Sequence, residues 1–319
     1  MKRVVTALVA AAGLVLGPTT HAQEKINLSI GTGGTGGVYY PLGGGMANIL
    51  SKHLPNVRAT AEVTGASVDN LKLIGAGKQD FGFSMADTAF EAAKGQDKFR
   101  GNPVNARTLM VLYPNRMHVV TVEATGIQKF SDLKGKRVSV GSPGSGTEVT
   151  AMRVLEANNM ISEVKRERLS VSESVNALKD RKIDAFFWVG GLPTAAVTDL
   201  AATPGMKIRM IDHGDALAEM NRRYGGLYAK DVIPKGTYSG MEGDNQVVSV
   251  WNVLVTNDKM SNRMAYDIVK TLFENQPELV AVHKEAENID LKKQTSTYSP
   301  IPFHPGALKY YAEQGVTGK

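Results

Sequence analysis

Apolar positions along this chain switch between two periods, and the switches mark strands and helices in alternation. The apolar run Ile26 to Ile30 predicts a strand that ends in Gly31-Thr32-Gly33-Gly34-Thr35-Gly36-Gly37, after which Tyr39 to Leu54 carries helical spacing. Val57 to Val63 alternates with β-branched residues and reads as a strand; Val68, Leu71 and Ile74 then share a helical face, with Ser67 placed to cap it. Gln79 to Phe83 reads as a short buried strand, and Ser84 to Asp87 has capping-box spacing ahead of a helix from Thr88 to Lys94.

Arg107 to Tyr113 and Met117 to Val122 are strand-like runs on either side of Pro114. The opening pattern then recurs. Strand Val138 to Val140 runs into the glycine loop Gly141-Ser142-Pro143-Gly144-Ser145-Gly146-Thr147-Glu148, followed by a helix through Val149, Met152 and Leu155. Ser172 to Lys179 matches Ser67 to Lys72 in kind, and Lys182-Ile183-Asp184-Ala185-Phe186-Phe187 matches Lys78-Gln79-Asp80-Phe81-Gly82-Phe83. The offset of about 105 residues implies two α/β lobes of one plan, each a mostly parallel sheet flanked by helices.

Further along, Thr194 to Ala201 reads as a helix with a proline in its first turn, Met206 to Ile211 as a strand, and Ala216 to Tyr224 as a helix. Tyr228 to Gly243 is polar and turn-rich. Gln246 to Thr256 is long enough to pass from one lobe to the other, so it and Met117 to Val122 are the expected hinge strands. Helices from Met260 to Gln276, Pro277 to Ile289 and Pro305 to Gln314 complete the pattern. The expected divisions are a leader over residues 1–22, lobe I over 23–118 with a return segment over 249–319, and lobe II over 119–248.

Met1-Lys2-Arg3, an apolar segment to Gly17 and the small-x-small pattern Thr20-His21-Ala22 read as a cleavable export signal, which places the mature protein in the periplasm. No later run approaches the ~20 apolar residues of a membrane crossing. Loss of Lys2 and Arg3 takes the formal charge from +6 to +4, a scattered surplus with no nucleic-acid footprint. The 319 residues contain no cysteine, so the exported fold rests on its cores and not on disulfides.

Four loops are expected to face one another across a cleft: Gly31 to Tyr39, Ser84 to Thr88, Gly141 to Glu148 and Trp188 to Pro193. Glycine loops that open helices hold anions, because first-turn N–H groups are unpaired and carry the positive end of the helix dipole. The hydroxyls of Thr32, Thr35, Ser84, Ser142, Ser145 and Thr147 would add hydrogen bonds, and none of these loops contains Lys or Arg. Asp87 and Glu148 either receive a ligand ammonium or cap their own helices. Tyr39 and Trp188 either cover a ligand or pack into the core.

Gly31, Gly33 and Gly36 also spell the dinucleotide-binding G-x-G-x-x-G, but the acid expected about 20 residues on is missing between Ser51 and Arg58. Catalysis finds little support. His53, His118, His213, His283 and His304 stand apart without zinc spacing, and Ser145 sits in G-S-G-T, not in a nucleophile elbow. No metal or cofactor is expected.

The motifs G-T-G-G-T-G-G-V-Y-Y-P-L-G-G (Gly31 to Gly44), T-G-A-S-V-D-N-L (Thr64 to Leu71), D-L-K-G-K-R-V-S-V-G-S-P-G-S-G-T-E (Asp132 to Glu148) and F-F-W-V-G-G-L-P (Phe186 to Pro193) resemble, in this order, those of the TAXI family, the extracytoplasmic solute receptors of TRAP transporters. The resemblance implies a two-lobed, type II periplasmic-binding-protein fold. It also implies a small carboxylate ligand such as glutamate, glutamine or a 2-oxoglutarate-like dicarboxylate, and a TRAP membrane permease as partner for a monomeric receptor. The ligand-facing positions it carries over are Gly33, Thr35, Tyr39, Ser67, Asn70, Ser84, Asp87, Ser142, Ser145, Gly146, Thr147, Trp188 and Gly191. The arginine with which other TRAP receptors clamp a carboxylate has no match in these motifs. A ligand sensor for a membrane kinase is the alternative function, and an exported enzyme on the same fold a more remote one.

Overall fold

The computed structural model describes residues 25–316, and the expected export signal lies outside the described residues. The strands are β1 (Ile26–Gly31), β2 (Val57–Glu62), β3 (Phe81–Met85), β4 (Ala106–Val122), β5 (Arg137–Ser139), β6 (Lys165–Glu167), β7 (Ala185–Gly190), β8 (Ile208–Met210), β9 (Ala229–Ile233) and β10 (Asn245–Asn257). The helices are α1 (Tyr39–His53), α2 (Ser67–Gly75), α3 (Ala86–Lys94), α4 (Gly146–Ala157), α5 (Val171–Lys179), α6 (Ala195–Ala202), α7 (Leu217–Tyr224), α8 (Asn262–Glu274), α9 (Gln276–Val282) and α10 (Pro305–Glu313). Among the described residues, no helix is long and apolar enough to cross a membrane.

The strands run in the order β2-β1-β3-β10-β4-β7-β5-β6, with β8 on β4 and β9 on β10. In one lobe β1 pairs in parallel with β2 and β3, and β10 returns antiparallel beside β3. In the other, β5 pairs in parallel with β6 and β7, and β4 returns antiparallel beside β7. The two lobes therefore share one strand plan. Each ends on a long strand that begins in the other lobe, and β4 and β10 pair with each other along both parts.

The repeat extends to single side chains. Asp80 Oδ2 accepts the Ser29 N–H at 2.7 Å, and Asp184 Oδ2 accepts the Arg137 N–H at 2.8 Å. Each aspartate stands just before the third strand of its lobe and ties the start of that strand to the first. Close packing of β1 on β3 depends on glycine: a Cβ on Gly82 would lie 2.9 Å from the Gly31 carbonyl oxygen.

One core cluster joins Leu28 to Tyr113 with Val253 to Tyr311, and Val149 reaches it from α4. Two others, one on Met117, Val138, Leu155 and Phe187 and one on Val120, Val175, Phe186 and Leu200, lie mainly in the second lobe, and Met85 and Ala86 reach the former from the first lobe. Apolar burial in these clusters, at roughly 25 cal/mol per Å², is the main force holding a chain without disulfides.

Three expectations need correction. The runs before and after Pro114 form one strand, because a register shift in β4 opposite Trp251–Val253 sits beside the proline and absorbs its missing N–H. The turn-rich stretch after Tyr228 contains β9, and the stretch after α4 contains β6, a fully exposed edge strand with no apolar alternation to reveal it. Pro193 precedes α6 and is not in its first turn; the Leu192–Pro193 bond is cis.

Candidate functional site

Five helices begin at one crevice. α1, α2, α3, α4 and α5 follow the C-terminal ends of β1, β2, β3, β5 and β6, where parallel sheets place their ligand sites. The cavity between them, about 40 Å³ counted as the space open to the centre of a water molecule, is lined at every one of these starts: Val38 and Tyr39, Ala66 and Ser67, Met85, Ser145 and Gly146, Ser170 and Val171. Among the described residues, no Asp, Glu, Lys, Arg or His lines it. First-turn N–H groups and aligned helix dipoles thus give the cavity a positive potential without a charged side chain.

On the first-lobe wall the Tyr39 ring stacks on Phe83 at 4.9 Å, and its hydroxyl donates to Asn252 Oδ1 at 2.5 Å. Asn115 Nδ2 donates to the same oxygen at 2.6 Å. Burial pushes the Tyr39 phenol up, so it remains a donor. Tyr113 is fully buried, and its hydroxyl has no hydrogen-bond partner among the described residues.

On the opposite wall Ser145 caps α4: its Oγ accepts the Glu148 N–H at 3.0 Å and donates to the Ser142 carbonyl at 2.7 Å. Thr147 Oγ1 accepts the Val189 N–H at 3.3 Å, which leaves its proton free to donate. Gly141 opens this loop at φ +100°, where a Cβ would also strike the Thr147 side chain at 2.7 Å. Trp188 Nε1 donates to Thr194 Oγ1 at 2.8 Å and holds the indole against Gly37.

The structure brings Gly33, Tyr39, Ser67, Ser142, Ser145, Gly146, Thr147 and Trp188 together around the cavity. Thr35, Asn70, Ser84, Asp87 and Gly191 lie outside its lining. Thr35 is exposed, and the Thr32 hydroxyl is turned to the Glu62 carbonyl at 2.6 Å. Asn70 lies behind the wall, donating to the Thr32 and Phe83 carbonyls at 2.8 and 2.9 Å and accepting from Thr64 Oγ1 at 2.7 Å. Ser84 donates to the Met85 carbonyl at 3.0 Å. Gly191 packs against the Tyr113 ring and the Glu285 side chain.

Neither acid plays the part its spacing suggests. Ser84 and Asp87 make no capping box: α3 starts after Met85, and no side chain caps it. Asp87 Oδ2 instead accepts from Arg153 Nη1 at 3.1 Å and from the Tyr228 hydroxyl at 2.7 Å, and Arg153 also pairs with Glu91. Glu148 reaches back to the Gly144 N–H at 3.3 Å and pairs with Arg168 Nε at 2.7 Å. Ser67 is likewise no cap; Ala66, at φ +82°, precedes α2, and Ser67 Oγ accepts the Met85 N–H at 3.2 Å.

Tyr113, Asn115, Ala66, Ser170 and Val171 escaped the sequence reading. The signal for α5 was present, since Ser170 and Glu173 form a full capping box two residues before the assigned start.

Solved structures of similar fold include a putative L-cystine ABC transporter protein from Listeria monocytogenes, at 14% identity over 83% of this chain and 95% of that one, with a TM-score of 0.50. A protein of Bordetella bronchiseptica RB50 matches at 17% identity over 90% and 89%, also at 0.50. The periplasmic aliphatic sulphonate binding protein SsuA from Escherichia coli matches at 13% identity over 91% and 84%, at 0.46. Likeness at this level speaks to the fold, which is that of periplasmic binding proteins. The model of the NMT1-like family matches residues 30–315, and the chain belongs to that family.

Proposed function

We propose that this protein is an extracytoplasmic solute receptor whose lobes close on a small carboxylate and deliver it to a membrane permease. The observation that carries this reading is the convergence of five helix starts on a cavity that, among the described residues, has no charged side chain in its lining. Such a site attracts an anion through backbone dipoles. The starts divide between the lobes, α1, α2 and α3 on one side and α4 and α5 on the other, which suits a dicarboxylate with one end on each wall.

An amine-free acid of the 2-oxoglutarate kind fits better than glutamate or glutamine. An α-ammonium would need an anion, and Asp87 and Glu148 are both engaged by arginines outside the lining. The four TAXI-like motifs support a TRAP permease as the partner, and the leader pattern over residues 1–22 supports a periplasmic location. On this reading lobe I comprises residues 23–118 and 249–319 and lobe II residues 119–248, with β4 and β10 as the hinge. The cavity hydroxyls have no histidine or carboxylate beside them in the lining to act as a base, which favours binding without turnover.

Thermal unfolding with 2-oxoglutarate, glutarate, glutamate, glutamine and uncharged glutaramide tests the proposal. A carboxylate at one hundred times its Kd raises stability by about 3 kcal/mol by mass action, whereas glutaramide leaves the melting temperature unchanged. No shift with any carboxylate at millimolar concentration contradicts it.

A further inference from the structure

Tyr113 stands in the middle of β4, where the strand passes from one lobe to the other. The partner of β10 jumps from Pro114 opposite Trp251 to Val111 opposite Val253, so Leu112 and Tyr113 together face Asn252. Such a bulge re-aims a side chain. Beyond it Tyr113 and Asn115, two residues apart, both line the cavity, between the helix starts of the two lobes.

Most of the cavity's other hydrogen-bonding side chains have protein partners: Tyr39 bonds Asn252, Ser145 bonds Ser142, Thr147 bonds Val189, and Trp188 bonds Thr194. Buried Asn115 bonds Asn252 through Nδ2, and its Oδ1, which can only accept, has no partner among the described residues. The Tyr113 hydroxyl, a donor, has no partner among the described residues, although the residue is wholly buried. A buried hydroxyl without a partner is a standing penalty that a bound group can remove. Burial, with Tyr39 and Glu285 close by, holds the phenol well above its usual range, so it offers a proton to an acceptor.

We propose that Tyr113 is a specificity-determining residue, whose hydroxyl donates to an oxygen on the ligand's carbon chain between its carboxylates. The class selected is a 2-oxo or 2-hydroxy dicarboxylate over its plain counterpart. The inference rests on the carboxylate reading of the cavity. Carboxylates at the two walls leave the middle of the ligand over the hinge strand, and a site built to hydrogen-bond an oxygen there rejects an analogue without it.

Calorimetric titration of 2-oxoglutarate and glutarate into the wild-type protein and Tyr113→Phe tests this. The wild type binds 2-oxoglutarate at least tenfold tighter than glutarate; the variant binds glutarate as before and 2-oxoglutarate about tenfold more weakly than the wild type does. Tyr113→Met, which also lacks the hydroxyl, is measured alongside so that the result does not depend on one variant folding. Equal wild-type affinities, or a preference retained in a folded variant, overturn the role of Tyr113 and leave the carboxylate site standing. Absence of heat from both ligands with the wild type overturns the carboxylate reading and this inference with it.

Discussion

Arg153 Nη1 on α4 lies 3.1 Å from Asp87 Oδ2 on α3, with the two side chains 7% and 1% exposed. The pair joins a helix of the first lobe to one of the second. It is completed by Glu91, by the Tyr228 hydroxyl 2.6 Å from Arg153 Nη1, and by the Tyr224 ring 4.6 Å from the guanidinium carbon. Buried charges persist only when paired in this way, and removal of one partner strands the other.

Asp87→Asn or Arg153→Met therefore lowers the stability of the protein by about 3 to 5 kcal/mol, the usual effect of breaking a buried ion pair. Denaturant unfolding measures it. The same Asp87→Asn variant keeps the ratio of 2-oxoglutarate to glutamate affinity unchanged, because Asp87 lies outside the cavity lining. A selective loss of amino-acid binding would restore Asp87 to the ligand site.

Ser145 and Thr147 separate capping from binding. Ser145→Ala removes the α4 cap and lowers stability by about 1 kcal/mol. Thr147→Val keeps the shape of the wall and takes away a hydroxyl whose proton is free, so it weakens carboxylate binding by about 1 to 3 kcal/mol with little change in melting temperature. Thermal unfolding and calorimetry on both variants check the division; unchanged affinity in Thr147→Val makes that hydroxyl scaffolding.

Two histidines set an acid limit. Burial lowers His118 to about 3 and His213 to about 4. His118 Nδ1 donates to the Arg116 carbonyl at 2.9 Å, and its Nε2 accepts from the Tyr238 hydroxyl at 2.8 Å, an arrangement that needs a neutral ring. The unfolded chain takes up these protons below about pH 6.5, and the folded chain does so only near pH 3 to 4. Stability is therefore full above pH 6.5 and falls as the pH drops through that window, by about 1.4 kcal/mol per unit for each histidine. Urea unfolding at pH 7 and pH 5 measures the loss. His118→Gln shows a smaller loss than wild type, and an equal one contradicts the assignment.

What the sequence disclosed was local. The glycine loops at Gly31 and Gly141 could be read because each ends a strand and opens a helix within a dozen residues, and the paired motifs at Asp80 and Asp184 disclosed the internal repeat. What escaped depended on distance or on irregular backbone. Arg153 stands 66 residues from Asp87, so local spacing offered Asp87 only a cap that the structure does not use. Pro114 hid the continuity of β4, and with it the placing of Tyr113 and Asn115 in the cavity, because the bulge that tolerates a proline leaves no mark in the pattern of apolar residues. Ala66 took a positive φ at the start of α2, a role in which glycine is the ordinary expectation.

Calorimetric titration of the wild-type protein with 2-oxoglutarate and with L-glutamate, in one buffer, tests the central claim most directly. A cavity that draws anions by helix starts alone, with its nearby acids consumed by arginines, binds 2-oxoglutarate at least tenfold tighter than glutamate. Equal or tighter binding of glutamate, or no heat from either acid, contradicts it.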